Sequence, residues 1–128
     1  MTVLYRAGHI EICHEAVTNI LCCRWFGVQQ TDKIMEAGME ILLHVKDKGI
    51  TRVLNDNRAV RGPWLNAAKW ADEEWFPLMM DAGLKHFAWI LPVNVFAEIS
   101  AKVAMRHATV VCTFKSYHEA YRWLVAQQ

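Results

Sequence analysis

Residues 50–83 read ITRVLNDNRAVRGPWLNAAKWADEEWFPLMMDAG, and the way this stretch is parsed decides the fold. Ile50–Asn55 has an apolar centre, Val53 and Leu54, and the length of a short buried strand. Asp56–Gly62 is dense in polar side chains and ends on glycine, which predicts a turn. Pro63 suits the first position of a helix, where a missing amide loses no bond. Beyond it Trp64, Ala68, Ala71, Trp75, Leu78, Met79 and Ala82 share one helical face. Pro77 lies inside that pattern, lacks an amide donor and crowds the preceding turn, so a kink or a split is expected there. Gly83 closes the unit.

Working outward, His9–His14 (HIEICH) alternates apolar and polar side chains, and Asn19–Phe26 (NILCCRWF) is a more apolar run. So short a connection between them predicts an antiparallel hairpin, with residues 1–8 as a lead-in. Thr31 is the expected N-cap of a helix with Asp32 in its first turn. Ile34, Ala37, Gly38, Ile41, Leu42 and Val45 then form a one-sided stripe, and Gly49 ends it. Downstream, Phe87–Leu91 (FAWIL) is apolar without alternation, as in a strand covered on both faces. Asn94 is placed to cap a helix with Phe96, Ile99 and Val103 inward. Thr109–Phe114 (TVVCTF) is the last strand, and Ser116 with Glu119 makes a capping box for a closing helix that buries Ala120, Trp123 and Leu124. The order β-β-α-β-α-β-α-β-α predicts an α/β fold in a single 1–128 domain: a mixed, mostly parallel sheet with an N-terminal antiparallel hairpin and right-handed crossovers.

Composition narrows the function. Fifty-four per cent hydrophobic residues and six tryptophans in 128 support a substantial core without staples. Fourteen basic against thirteen acidic residues, net +1, argue against a general nucleic-acid binder. The start MTVLYRAGHIEICHE lacks the pattern of a secretory signal, and no apolar run approaches the ~18 residues of a membrane span. Cys13, Cys22, Cys23 and Cys112 show no CxxC spacing, and Cys22 and Cys23 point to opposite faces of their strand. This fits buried free thiols in a reducing cytoplasm and no metal site.

The order of elements, with certain residues, resembles the STAS fold of anti-sigma-factor antagonists and, more closely, the bacterial SpoIIAA-like proteins. The resemblance covers roughly residues 9–126. Its pieces are Asp56-Asn57-Arg58 with Gly62, Glu74-Trp75-Phe76-Pro77, Gly83-Leu84-Lys85 leading into Ala88-Trp89-Ile90-Leu91-Pro92, and Phe96 with Ile99-Ser100. A looser similarity is to the lipid-exchange CRAL-TRIO domains. The resemblance to anti-sigma antagonists implies a phosphorylatable Ser or Thr at the start of the helix after the third strand. From Arg52 to Ile99 this chain has no Ser, Thr or Tyr, so that charge switch has no hydroxyl to act on.

Among candidate sites, Asp56, Asn57, Arg58 and Arg61 sit at a strand's C-terminal end before a helix, the edge where α/β sheets bind ligands. Free helix amides and two guanidiniums there suit a carboxylate or phosphate. The plainer account is that Asp56 caps the turn and pairs with Arg58. Trp70, six residues from Trp64, is expected on the outer side of its helix near Glu74, as an interface or ligand lid unless a loop covers it. Asp72, Glu73 and Glu74 fan out at about 100° per residue and do not converge as an acid–base pair. The six histidines lack zinc spacing, Gly62 stands outside any phosphate-cradle motif, and no cofactor is implied. The residues therefore point first to a non-catalytic regulatory or binding module, acting on an unknown protein partner or by self-association as a dimer. Second comes a carrier of a small apolar or amphiphilic ligand between sheet and helices, gated near Pro77 and lined by Met79 and Met80. An enzyme is third.

Overall fold

The structure, a computed structural model, describes residues 1–127; Gln128, the last residue of the expected domain, lies outside them. Among the described residues six strands form one sheet in chain order: β1 (Thr2–Ala7), β2 (Ile10–Glu15), β3 (Ile20–Val28), β4 (Arg52–Arg61), β5 (His86–Ile90) and β6 (Val111–Phe114). The expected hairpin is present, with Cys13 opposite Cys22. The supposed lead-in is a further strand: Thr2–Ala7 pairs antiparallel with β2 and lays Leu4 and Tyr5 on the core. Its pattern is weak because it is an edge strand, half exposed, with pairing partners on one side only. From β3 onward the pairing is parallel.

Parallel neighbours need crossovers, and the helices supply them. They are α1 (Thr31–Lys48), the unit α2 (Leu65–Trp70) and α3 (Phe76–Asp81) with a π-helical turn, Ala71–Trp75, between them, then α4 (Val95–Ala104) and the closing α5 (Tyr117–Ala126). The stripe of α1 is buried as expected. The residue before α1 is Gln30, extended and without a side-chain cap, so Thr31 is the first helical residue and not the N-cap. Asn94 and Ser116 do cap, accepting from the amides of Ala97 and Glu119.

Two clusters share the strands. Leu21, Cys23, Trp25, Val53, Phe87 and Trp89 face α1–α4, while Ile20, Cys22, Leu54, Ala88 and Ile90 face Ala120 and Leu124 of α5. That alternation is why β5 shows no polar side.

Two helix faces differ from the sequence expectation. On α4 the buried positions are Ala97, Ser100, Ala101 and Ala104, whereas Phe96 and Ile99 are exposed and Val103 is half-buried. Small residues let α4 sit close to α2, whose buried positions are Ala67 and Ala68, and this close approach turns the larger side chains outward. In α3, Leu78 is exposed and Phe76 takes an inward position beside Trp75 and Met79. The π turn inserts one residue, seen in the Phe76 amide bonding to the Ala71 carbonyl, and rotates everything after it. Pro77, at the start of α3, has no amide to offer Glu73, so the wide turn ends where regular bonding would have failed.

Candidate functional site

The polar run after β4's apolar centre is not a turn. β4 continues to Arg61, and Asn55, Asp56 and Asn57 are all buried. Tertiary partners make this possible. The Trp25 indole N–H donates to Asn55 Oδ1 at 2.8 Å, and Asn55 Nδ2 donates to Asn57 Oδ1 at 3.2 Å. Asp56 accepts from the Arg58 backbone amide (3.1 Å), Nε (3.0 Å) and Nη2 (2.8 Å). Strand alternation puts Asp56 and Arg58 on the same side, and a bulge opposite Arg24–Phe26 then shifts the phase so that Val60 follows Asn55 and Asn57 on the other. Gly62, at φ 75°, then turns the chain out of the sheet, a conformation in which any Cβ would be strained.

The sequence-predicted site residues are therefore split. Asp56 and Arg58 lie on the α5 side, with the Arg58 guanidinium 5.7 Å from the centre of the Tyr117 ring. The hydrogen bonds that Arg58 donates to the Asp56 carboxylate hold its guanidinium above its ordinary pKa, and burial pushes the Tyr117 hydroxyl up. Burial likewise raises the Cys22 thiol, to about 11, which leaves it no nucleophile. Arg61 and Glu74 are exposed. The amides expected to be free at the helix start are partly used: Trp64 N–H donates to Ser100 Oγ at 2.8 Å and Gly62 N–H to Asn94 Oδ1 at 3.3 Å. Of the residues expected to act together, Asn57 and Trp70 alone share a site.

That site is a cavity of about 40 Å³ between sheet and helices. Its floor is Trp25 of β3, Asn55, Asn57 and Val60 of β4, and Phe87 and Trp89 of β5. Gln29, Ile34 and Gly38 wall one side, and Trp64, Trp70, Ala71 and Trp75 the other. Trp70 corrects the expectation of an outward side chain. It is half-buried and packs against the core over α1, where a Cβ on Gly38 would lie 2.9 Å from its ring. Gly38 is there because nothing larger fits between α1 and two indoles. Its carbonyl also accepts from the Trp75 N–H at 2.7 Å.

Several side-chain polar atoms of this wall are paired within the protein, but three fully buried ones are not. Gln29 Oε1, Trp64 Nε1 and Trp89 Nε1 are buried without a hydrogen-bond partner among the described residues. A buried unpaired donor or acceptor costs about 1–3 kcal/mol, and all three belong to residues that line this one cavity. Trp64 and Trp89 stack with centroids 6.3 Å apart and planes 17° from parallel. The π turn that carries Ala71 and Trp75 is a feature frequent at functional sites. Sequence reasoning missed Gln29, Trp64 and Trp89 as site residues. The only signal was the number of tryptophans, and an indole that fills a core looks the same in sequence as one that lines a hole.

No group of three or more His, Cys, Asp or Glu is placed to hold a metal ion among the described residues. No helix there is long and apolar enough to cross a membrane. No family model matches the chain, and no curated protein matches it in sequence. Among solved structures it is similar to an uncharacterized protein of the DUF3478 family from Shewanella loihica PV-4, described as having a SpoIIAA-like fold. The two share 20% identity over 94% of this chain and 98% of that one, with a TM-score of 0.57. The mixed α/β sheet described above is thus a SpoIIAA-like fold.

Proposed function

We propose that the chain is a non-catalytic binding module whose ligand is a small, largely apolar molecule held between sheet and helices. The observation that carries this reading is the tryptophan-walled cavity, three of whose lining residues carry an unpaired buried polar atom. An apolar wall with a few fixed polar groups is the usual make-up of a small-molecule site. At about 40 Å³ the cavity is well below the ~150 Å³ that accommodates benzene, so a ring-sized ligand needs a side chain to move. Trp70 is the side chain for that movement: it is half-buried at the edge of the wall, whereas Trp64, Trp75 and Trp89 are buried. Four free cysteines favour a reducing, cytoplasmic setting.

The test is mass spectrometry of denatured, freshly purified protein for a co-purifying small molecule, together with ligand-observed NMR against small aromatic fragments. Binding to the wild type and its loss in Ala71→Leu, which fills the cavity from the π turn, support the reading. A clean spectrum with no fragment bound would end it.

A second reading, contact with a protein partner or a second copy, is favoured by a different observation. Val95, Phe96 and Ile99 on α4, with Val93 just before it, form an exposed apolar row. This row replaces the outward Trp70 expected from the sequence as the candidate contact surface. Sedimentation of the wild type and of Phe96→Ser separates the two readings, because the cavity reading requires no change of association state.

A further inference from the structure

We propose that the ligand is uncharged and that its polar end joins a hydrogen-bond acceptor to a donor, as an amide does, on a small apolar or aromatic body. This rests on the cavity being a ligand site and adds the chemical class. Five indoles line the cavity, and the fold uses two of their N–H groups: Trp25 donates to Asn55 Oδ1 at 2.8 Å and Trp75 to the Gly38 carbonyl at 2.7 Å. The N–H groups of Trp64 and Trp89 are buried and spare, and they belong to one stacked pair.

Gln29 supplies the opposite polarity. Its Nε2 donates to the Phe26 carbonyl at 2.9 Å and lies 3.5 Å from that of Gly27. These contacts fix the amide and leave Oε1 as a spare acceptor. All three side chains are more than nine-tenths buried, at 9% exposure for Trp64, 3% for Trp89 and 8% for Gln29. Residues that line the cavity thus carry two unpaired buried donors and one unpaired buried acceptor.

Charge is excluded by the wall itself. None of the thirteen lining residues is ionisable, so a carboxylate or ammonium would lose its water without gaining a counter-ion. A hydrocarbon would leave all three atoms unpaired. A neutral amide, lactam or imide meets both needs: its carbonyl accepts from an indole N–H, its own N–H donates to Gln29 Oε1, and its body takes the apolar space.

The test uses four probes of one shape, namely benzamide, benzoate, benzamidinium and toluene, titrated against the full chain by tryptophan fluorescence and ligand-observed NMR. Benzamide is expected to bind about tenfold tighter than each of the others. In Gln29→Met, close in size but without the acceptor, benzamide falls to within about twofold of toluene while toluene binding persists. Trp89→Phe makes the same test from the donor side if Gln29→Met does not fold. Toluene binding as well as benzamide overturns the amide class and leaves the cavity reading standing. Preference for benzamidinium overturns it in favour of an aromatic cage for cations. Binding of none of the four, in the wild type and in Trp70→Ala, overturns both.

Discussion

Gly38→Ala is the perturbation that most directly interrogates how α1 meets the cavity wall. A Cβ built on Gly38 meets Trp70 Cη2 at 2.9 Å, Trp70 Cζ3 at 3.1 Å and Trp75 Nε1 at 3.1 Å. Comfortable carbon contacts begin near ~3.5 Å, so the shortest falls about 0.6 Å inside that limit. Trp75 is held by its bond to the Gly38 carbonyl and by edge contacts with Phe76 and Phe87, so it yields little. Trp70 is half-buried and has room to swing outward. Overpacking costs about 1–3 kcal/mol, against a gain of about 1 kcal/mol from replacing glycine within a helix. The expected net is a loss of up to about 2 kcal/mol. In a Trp70→Ala background most of the clash is gone, so the same change becomes neutral or stabilising by up to about 1 kcal/mol. The coupling between the two positions is then up to about 3 kcal/mol. Urea unfolding of the four proteins, followed by tryptophan emission, measures it. If Gly38→Ala is equally stabilising with and without Trp70, the indole does not sit over α1 and the account of the wall is wrong.

Three further outcomes are expected. Asn94→Ala removes the cap on α4 and the bond to the Gly62 amide, and should cost about 1–2 kcal/mol in urea unfolding, whereas Asn94→Asp should restore most of it. Glu15 accepts from the Thr18 and Tyr121 hydroxyls, which lower its carboxyl pKa below the ordinary 4.5. The stability from Glu15 is therefore fully present above that value and lost as pH falls through the lower folded one, and Glu15→Gln should flatten part of the acid limb of the midpoint-versus-pH curve. An identical limb in the variant refutes the assignment. Burial pushes Cys22 up to about 11 and Cys23 well above the ordinary thiol value, so iodoacetamide at pH 8 should modify half-buried Cys13 or Cys112 first and reach Cys22 and Cys23 only on unfolding. Rapid labelling of native Cys22, mapped by mass spectrometry, contradicts this.

What could be read from the chain were features set by near neighbours. The stripe Ile34–Val45 on α1, the caps Asn94 and Ser116, the glycine stop at Gly49 and the antiparallel pairing of the HIEICH and NILCCRWF runs depend on residues a few positions apart, and all are present. The resemblance, built on the order of such elements, led to the correct fold. Tertiary structure decided what the period of a helix or strand leaves open. One residue rotates a helix face by about 100°, so 96–99–103 and 97–100–101–104 are equally periodic on α4, and the close approach of α2 chose the second. Polar residues end a strand when their partners are water. Asn55, Asp56 and Asn57 continue one because Trp25, thirty positions from Asn55, Asn55 itself and Arg58 satisfy them inside. Trp70 was turned inward by a space that exists only where Gly38 passes. The cavity, too, is a product of packing: its unpaired atoms come from β3's end, β5 and the start of α2, and no local rule connects Gln29, Trp64 and Trp89 until the fold brings them together.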